Sequence, residues 1–437
     1  WVDATINLPA ETNNAKTLSI RWIADKTSAI DGTTSNNDGI ALGASYIIGN
    51  MKLVDDGTAP VLVSFVPENG SNTASINGKV VLNFDEKVRV KDGAAATLGG
   101  KELKPEVSGS VVMFPYKNLS YATDYTFTLP ANTVSDLTDN YLAKAVTINF
   151  TTKTRPEVEK ALYDFIVPDD GTFQDAVAAA AKRADMTKRY RVFLRNGNYK
   201  TLPDAVNTKT NEYTENKVVI ATATYKDPTT YISSPNISFI GESRDGVVIT
   251  NTLPTDKFPN GACVAEGIGK GDVIRINKEG ANSYWQHLTV KSAMGDGKGR
   301  DIEVNDGSDK TIMKDVCLWG YQDTYVSNNE KARFYFEGGL LRGRTDYLCG
   351  KGDVYYNAVT LQMTGTGGYL AVPSVPKKYG YIFKDCEIVG ETDAQDGNFT
   401  LGRPWGSGTP IAMFIDTKMT AKPSAIGWAE MSNGWPA

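Results

Sequence analysis

Six short apolar segments recur along the second half of the sequence, and their spacing constrains the fold more than any other feature. They are WQHLTVKS from Trp285, MKDVCLWG from Met313, FEGGLLRG from Phe336, YNAVTLQM from Tyr356, FKDCEIVG from Phe383 and FIDTKMTA from Phe414. Their starts are 28, 23, 20, 27 and 31 residues apart. A unit of this size cannot bury its apolar side alone, so the units are expected to stack into one continuous core. The pattern predicts a parallel β-helix. An array of immunoglobulin-like domains would give similar strands, but joined more often by tight hairpins.

The region before these repeats alternates apolar and polar residues in shorter segments. Between residues 59 and 152 the segments read VLVSFVP, KVVLNF, VVMFPY, YTFTLP and VTINFTT. Turn residues such as Asn69-Gly70 separate some of them, which is typical of an antiparallel β-sandwich of immunoglobulin-like size. We therefore predict an all-β protein with a sandwich over 57–153 and a β-helix domain over 154–437. Residues 1–56 are also strand-like, and we interpret them as the end of a truncated β domain.

One clear amphipathic helix stands between the sandwich and the repeats, after a linker near Thr154-Arg155-Pro156. Its apolar positions, spaced i, i+3, i+4 and i+7, are Phe173, Ala176, Val177 and Ala180. Thr172 is placed to cap its first turn. A single helix of this kind before a long strand-rich tract is interpreted as the end cap of the solenoid.

Charge and composition argue against several classes of partner. The net charge is −5 and the pI about 5.3, so nucleic acid is not the expected main ligand. No apolar run approaches the roughly 18 residues that cross a bilayer, and the given chain opens on Trp1 without a signal peptide. The four cysteines have neither metal nor disulfide spacing and are predicted to be buried free thiols. His287 is the single histidine and no G-x-S-x-G motif is present, which argues against a Ser-His-Asp esterase.

Two aspartates in short motifs are the strongest candidates for chemistry. Asp323 and Asp346 are 23 residues apart, and Arg300 lies another 23 residues upstream. In a coil of that pitch the three residues would stack on one wall, because adjacent β-strands lie about 4.8 Å apart. Two carboxyls held this close cannot both ionise freely at neutral pH. The spacing therefore predicts an acid and a nucleophile side by side.

The motifs around these aspartates carry a resemblance to a known family. Gly320-Tyr321-Gln322-Asp323-Thr324, the later T-D-Y-L-C-G and Leu401-Gly402-Arg403-Pro404-Trp405 resemble the signature blocks of the pectin methylesterases. The resemblance extends over about residues 157–430 and includes DDGTFQDAVAAA, FLRNGNY and ISFIGESRDGVVIT. It implies a right-handed parallel β-helix and a carbohydrate esterase that removes methyl esters from the galacturonate units of pectin.

The resemblance also implies roles for individual residues. Asp346 would be the nucleophile, and Asp323 the general acid that later acts as a base. Gln322 would donate a hydrogen bond to the oxyanion, and Arg403 would lie beside Asp346 and favour its charged form. The remaining implied site residues are Arg300, at the place of a second oxyanion glutamine, and Trp405, Tyr321 and Tyr347 as substrate contacts.

The sequence departs from the family pattern at two places near the site. Arg300-Asp301-Ile302-Glu303-Val304 stands where the family typically has Gln-Ala-Val-Ala-Leu, and Arg344-Thr345 stands where Thr-Val is usual. An arginine can donate to an oxyanion, but it also pairs with carboxylates. Basic residues gather near the predicted site and would either attract a polyanionic substrate or form a solvated rim. They are Lys298, Arg300, Arg342, Arg344, Lys351 and Arg403.

We expect a secreted or cell-envelope pectinesterase that works as a monomer, without a cofactor or a metal. Two alternatives stay open. One is a β-helix glycosidase that uses the same two carboxyls. The other is a non-catalytic pectin-binding homologue whose site is disabled by Arg300 and Arg344. The products separate these possibilities, because a glycosidase shortens the polysaccharide whereas an esterase leaves its length unchanged and creates new carboxylates.

Overall fold

The computed structural model describes residues 57–375, 379–406 and 409–431. The strand-like segment predicted over residues 1–56 lies outside the described residues. The chain divides into two compact units between Pro156 and Glu157.

The first unit is built from short antiparallel strands. They are β1 Leu62–Val66, β2 Gly78–Phe84, β3 Arg89–Val90, β4 Ala96–Leu98, β5 Lys101–Leu103, β6 Glu106–Ser108, β7 Val111–Tyr116, β8 Asp124–Leu129, β9 Val134–Ser135 and β10 Val146–Thr151. The main sheets have the strand orders β1-β2-β7-β6 and β10-β8-β4-β5, and β3 pairs with β9. All five predicted apolar segments form strands, which confirms the predicted sandwich.

The core of this unit follows from the alternation of side chains along its strands. In β7 every second residue is buried, because successive side chains point to opposite faces of a strand. Phe114 of β7 and Phe127 of β8 meet in this core with their ring centroids 5.1 Å apart. Apolar residues from both sheets therefore fill one shared interior.

The predicted capping helix is present at the start of the second unit. Helix α1 spans Phe173–Lys182 and buries Phe173, Ala176 and Ala180. The Thr172 side chain accepts a hydrogen bond from the Asp175 N–H, and the Asp175 side chain accepts one from the Thr172 N–H. This reciprocal capping box fixes the first turn of the helix, as the sequence predicts.

The rest of the second unit consists mainly of short strands that repeat in the same order. They are β11 Phe165–Val167, β12 Tyr190–Leu194, β13 Gly197–Lys200, β14 Thr208–Glu215, β15 Val218–Lys226, β16 Thr230–Ile232, β17 Ile237–Gly241, β18 Val247–Thr250, β19 Ile274–Ile276, β20 Tyr284–Gln286, β21 Thr289–Val290, β22 Val304–Asp306, β23 Thr311–Lys314, β24 Cys317–Trp319, β25 Tyr325–Ser327, β26 Arg333–Glu337, β27 Leu340–Gly343, β28 Thr345–Gly350, β29 Asp353–Asn357, β30 Thr360–Met363, β31 Gly368–Pro373, β32 Tyr381–Lys384, β33 Glu387–Gly390, β34 Phe399–Gly402, β35 Ala412–Ile415 and β36 Lys418–Met419. Short 3₁₀ turns lie at Lys160–Leu162, Lys278–Gly280 and Asp393–Gln395.

These strands form the parallel sheets of a β-helix. In the described part of the chain the orders are β11-β12-β17-β20-β23-β26-β29-β32-β35, β13-β18-β21-β24-β27-β30-β33-β36 and β16-β19-β22-β25-β28-β31-β34. Each turn of the coil contributes one strand to each sheet, so residues far apart in the chain become neighbours one strand away. The antiparallel hairpin β14-β15 is an insertion into this coil. The predicted parallel β-helix is confirmed.

The starts of the six apolar repeats lie directly beside one another in the longest sheet. The register pairs are Trp285 with Met313, Met313 with Phe336, Phe336 with Tyr356, Tyr356 with Phe383 and Phe383 with Phe414. The ring centroids of Tyr356 and Phe383 are 4.6 Å apart, and those of Phe383 and Phe414 are 4.4 Å apart. These distances match the spacing of neighbouring strands, so the rings stack along the coil axis. The repeat seen in the sequence is therefore the rung of the solenoid.

The four cysteines are buried and unpaired, as predicted. Within the described residues, no helix has the length and apolar character needed to span a membrane.

Candidate active site

Asp323 and Asp346 occupy equivalent corners of two neighbouring rungs. Gln322 pairs with Thr345 across the rungs, and the Asp323 N–H donates to the Thr345 carbonyl at 3.2 Å. The adjoining strands keep the same offset, with Tyr325 of β25 beside Leu348 of β28. Both aspartates adopt positive φ angles, 60° for Asp323 and 52° for Asp346, a conformation that aspartate tolerates better than most residues. The predicted register of 23 residues is confirmed for this pair.

A third and a fourth rung bring Arg403 to Asp346. Arg403 follows β34, and its backbone N–H donates to the Ala371 carbonyl in β31 at 3.1 Å. Its guanidinium donates from Nε to Asp346 Oδ1 at 2.9 Å and from Nη2 to Oδ2 at 2.6 Å. The guanidinium also lies over the Tyr369 ring, 3.9 Å from the centroid. Asp346 is thus held by a two-point ion pair that suits an ionised carboxylate in a fixed orientation.

Asp323 lies in a different environment one rung earlier. Its side chain is buried, with Arg300 Nε 3.0 Å from Oδ2 and Cys349 Sγ 3.7 Å from Oδ1. Burial raises the pKa of Asp323 to about 7, Arg300 opposes the rise, and the nearby Asp346 adds to it. Asp323 can therefore hold or release a proton near neutral pH, which is the property required of a general acid and base.

Arg300 reaches Asp323, but not by stacking in the predicted register. Val304 pairs with Tyr325, so the offset between these two rungs is 21 residues and not 23. The Asp301 N–H donates to the Gln322 carbonyl at 3.0 Å, which places Ile302 beside Asp323 along the backbone. The prediction that Arg300 stacks in line is therefore wrong. Its side chain nevertheless extends to the Asp323 carboxyl.

Arg300 is shared between two carboxyl groups. Besides its contact with Asp323, its Nη1 lies 2.8 Å from Glu266 Oε1. Glu266 lies in the irregular segment between β18 and β19, where the sequence has no periodic signal that would have pointed to it. The positive charge of Arg300 is thus divided between Asp323 and a residue from outside the regular coil.

Gln322 is held by an acidic residue behind it. Its backbone N–H donates to Asp301 Oδ1 at 2.5 Å, which fixes the corner from which the Gln322 side chain projects. Burial raises the pKa of Asp301 to about 7. Among the described residues, no group of three or more His, Cys, Asp or Glu side chains is arranged to hold a metal ion.

The predicted aromatic contacts have separate fates. Tyr321 is half-buried beside the site, with the Arg344 guanidinium 5.8 Å from its ring centroid. Trp405 is 37% exposed, and its N–H donates to the Pro373 carbonyl at 3.0 Å. Both side chains have surface available for a ligand.

Tyr347 does not, and its predicted substrate contact is wrong. Its side chain is fully buried in the solenoid core. It packs directly over Gly343, where an added Cβ would lie 2.2 Å from the Tyr347 Cβ. The positive φ at Asp346 turns the chain at this corner, so Asp346 faces outward while Tyr347 and Leu348 both enter the core. Tyr347 is a packing residue.

The comparisons with known proteins agree with this geometry. A family model described as pectinesterase matches residues 194–436, which is more than half of the chain, and one described as a bacterial Ig-like domain matches residues 56–152. The chain belongs to the pectinesterase family. It is therefore a carbohydrate esterase by family and fold, preceded by an immunoglobulin-like domain.

Individual relatives of this pectinesterase-family chain are distant. Pectinesterase A of Dickeya dadantii (strain 3937) is 27% identical over 292 residues, which cover 57% of this chain and 75% of the relative. The pectin methylesterase from carrot aligns with a TM-score of 0.47 and 17% identity, covering 64% of this chain and 79% of that one. Pectin methylesterase PemA from Erwinia chrysanthemi aligns with a TM-score of 0.44 and 22% identity, covering 61% and 80%.

Proposed function

We propose that this protein removes methyl esters from the galacturonate units of pectin through an aspartyl acyl-enzyme and releases methanol. The observation that carries the proposal is the unequal treatment of two neighbouring carboxyls. Arg403 binds both oxygens of Asp346, whereas Asp323 is buried and has a pKa of about 7. One carboxylate is suited to attack, and the other is suited to transfer a proton.

In the first step Asp346 attacks the ester carbonyl carbon of a methylated galacturonate. The carbonyl oxygen becomes an oxyanion, and the Gln322 side chain is positioned to donate a hydrogen bond to it. A preorganised donor of this kind contributes about 3 kcal/mol. The bond to the methoxy group then breaks, and protonated Asp323 supplies the proton that leaves with methanol. The product of this step is an anhydride between Asp346 and the galacturonate.

In the second step Asp323, now ionised, accepts a proton from water. The resulting hydroxide equivalent attacks the acyl carbon, and the bond to the Asp346 oxygen breaks. Galacturonate leaves as a free acid group on an uncut polysaccharide, and Asp323 is protonated again. Two carboxyls therefore complete the cycle without a cofactor.

Arg300 takes the place of the second oxyanion glutamine of the family in an altered way. Its contacts with Asp323 and Glu266 leave it half-exposed at the edge of the pair. We assign it mainly to setting the proton affinity of Asp323. A guanidinium at this position favours the charged form of the neighbouring carboxyl, and therefore the base that the second step needs.

The substrate assignment follows from the relatives and from the exposed aromatic surface. The curated relatives include pectinesterases, and Trp405 and Tyr321 offer flat faces to sugar rings beside the carboxyls. Pectin is a cell-wall polysaccharide, so we place the enzyme in secretions or in the cell envelope, as a monomer. We assign residues 154–437 to the catalytic domain, 57–153 to an accessory immunoglobulin-like domain and 1–56 to the end of a preceding β domain.

Methanol release from citrus pectin tests the function directly. The wild-type protein should release methanol and create one new carboxylate for each methanol, while the length of the polysaccharide stays unchanged. Shortened chains would identify a glycosidase instead. A folded wild-type protein that binds pectin but releases no methanol would identify a non-catalytic homologue and overturn the proposal.

A further inference from the structure

The arginines around the two carboxyls differ in how far their charges are neutralised. Arg403 is paired with Asp346, and Arg300 with Asp323 and Glu266. These positive charges already face negative ones before any substrate binds. They leave little net charge with which to attract a polyanion.

Arg342 is neutralised more completely and is withdrawn from the surface. Its side chain is 3% exposed and lies between Asp296, with an N–O distance of 2.7 Å, and Glu391, with a distance of 3.0 Å. It also donates to the Gly320 carbonyl at 2.9 Å. Arg342 is therefore a structural centre of this wall and not a ligand group.

Arg344 is different because neutral groups hold it. Its Nε donates to the Thr366 carbonyl at 2.7 Å, and its Nη1 donates to Thr345 Oγ1 at 2.8 Å. Its guanidinium lies beside the ring of Tyr321. No acidic side chain of the described residues forms an ion pair with it. Arg344 thus carries an uncompensated positive charge in a fixed orientation, and its Nη2 makes no hydrogen bond within the described part of the chain.

The position of Arg344 relative to the reacting pair is fixed by the rung register. Its N–H donates to the Tyr321 carbonyl at 2.7 Å, so Arg344 lies beside Tyr321 just as Asp346 lies beside Asp323. Two residues of chain separate the Cα atoms of Arg344 and Asp346 by at most about 7 Å. Arg344 is half-buried and retains exposed surface. A sugar unit next to the one at Asp346 is therefore within its reach.

We propose that Arg344 binds the free carboxylate of a galacturonate unit adjacent to the unit whose ester is cleaved, and so makes the enzyme prefer partly de-esterified pectin. This role depends on the proposed function and specifies its substrate. A guanidinium forms a charge-assisted pair with a carboxylate, whereas a methyl ester is neutral and offers only a weaker acceptor. The contacts with Thr366, Thr345 and Tyr321 orient the guanidinium in advance, which reduces the entropy lost on binding.

The test compares two substrates of equal length, a fully methyl-esterified oligogalacturonate and one with alternating free carboxylates. The wild-type protein should show a higher kcat/KM on the second substrate. Arg344→Gln should lower kcat/KM on that substrate about tenfold and leave the value on the first nearly unchanged. Arg344→Lys, which keeps the charge, should retain part of the preference. Arg333→Gln is the matched control, because Arg333 pairs with Asp309 at a corner away from the site.

A purely structural role for Arg344 predicts a different result. Loss of the tie to Thr366 would then lower activity on both substrates by the same factor. Equal losses on both substrates, or no change on either, would overturn the proposal. The ratio of the two kcat/KM values is therefore the deciding quantity, and it is insensitive to a smaller fraction of folded protein.

A binding measurement separates this proposal from the proposed function. Fully de-esterified oligogalacturonate should bind the wild-type protein, as followed by calorimetry, and Arg344→Gln should weaken binding about tenfold. Raising the salt concentration should reduce that difference, because screening weakens the charge pair. If the wild-type protein bound the oligomer in this way but released no methanol, esterase activity would fail while the role of Arg344 stood. Equal binding by the wild type and Arg344→Gln would overturn the role of Arg344 even in an active esterase.

Discussion

Asp323 and Asp346 occupy the same corner of two successive rungs, yet their surroundings assign them opposite properties. Both have positive φ angles and lie one strand apart. Asp346 receives two nitrogens of one arginine, whereas Asp323 receives one nitrogen of an arginine that also serves Glu266. The coil therefore fixes where the carboxyls are, and the side chains that reach them from other rungs determine their charge.

The largest expected effect comes from removing the paired carboxylate. Asp346→Asn should lower kcat for methanol release by at least about 10⁴-fold, because the nucleophile itself is lost. Initial rates on citrus pectin measure the loss, and thermal unfolding checks that the variant is folded. The matched control is Asp309→Asn, which removes a carboxylate from another arginine pair on the coil and should remain active. Substantial methanol release by Asp346→Asn would show that the two carboxyls have been assigned to the wrong roles.

Removing the buried carboxyl should produce a smaller and different defect. Asp323→Asn should lower the rate on methyl esters by about 10²–10⁴-fold, because methanol then leaves without a general acid. An aryl ester of galacturonate has a leaving group that needs no such proton. With that substrate the variant should release one equivalent of phenol in a burst and then stall as the acyl-enzyme, because the base for the second step is missing.

Asp346→Asn provides the contrast, since it should show no burst with the aryl ester. A covalent adduct on Asp346, found by mass spectrometry of the stalled Asp323→Asn protein, would accompany the burst. Steady turnover of the aryl ester by Asp323→Asn, without a burst, would exclude Asp323 as the base of the second step.

Disturbing the two-point ion pair should have an intermediate effect. Arg403→Gln leaves Asp346 without its orienting partner and should lower kcat by about 100-fold. Arg403→Lys should recover part of the rate, since it restores the charge but not the fork that binds both oxygens. The steady-state rate on pectin measures both variants, and Arg333→Gln is the control for loss of a paired arginine elsewhere. Equal activity of the Gln and Lys variants would indicate that charge at this position is unimportant.

The smallest expected effect is a shift of the pH profile. The first step needs protonated Asp323, so kcat/KM should fall as the pH rises through about 7. Arg300 lowers the pKa of Asp323 and Glu266 raises it. Arg300→Gln should therefore move the alkaline limb up by about one pH unit, and Glu266→Gln should move it down. The limb is read from kcat/KM between pH 5 and 9, and shifts of the same sign in both variants would contradict the assignment of this limb to Asp323.

The rungs of the coil could be predicted from sequence because burial repeats. Aromatic and apolar residues at the inward positions, such as Phe336, Tyr356 and Phe383, must stack for the core to close, and their spacing gave every register pair of the longest sheet. The corner at which Asp323 and Asp346 stand follows from the same register. Turn lengths between strands carry no such constraint, which is why the position of Arg300 was wrong by two residues.

The contacts between rungs could not be predicted in the same way. Glu266 and Tyr369 reach Arg300 and Arg403 through side chains whose positions depend on local backbone turns. Tyr347 was assigned to the surface because it neighbours Asp346 in a motif, but the left-handed φ of Asp346 reverses the direction of the chain there. Short-range conformation of this kind leaves no periodic trace in a single sequence.

The tie between Arg300 and Glu266 has a consequence for how such an enzyme can change. Glu266 belongs to the irregular segment that leaves the coil between β18 and β19, and it contributes no strand to the stacked sheets. Substitutions or insertions in that segment can alter the proton affinity of Asp323 without disturbing the packing of the solenoid. The acidity range in which the enzyme works is thus separable in evolution from the stability of its scaffold.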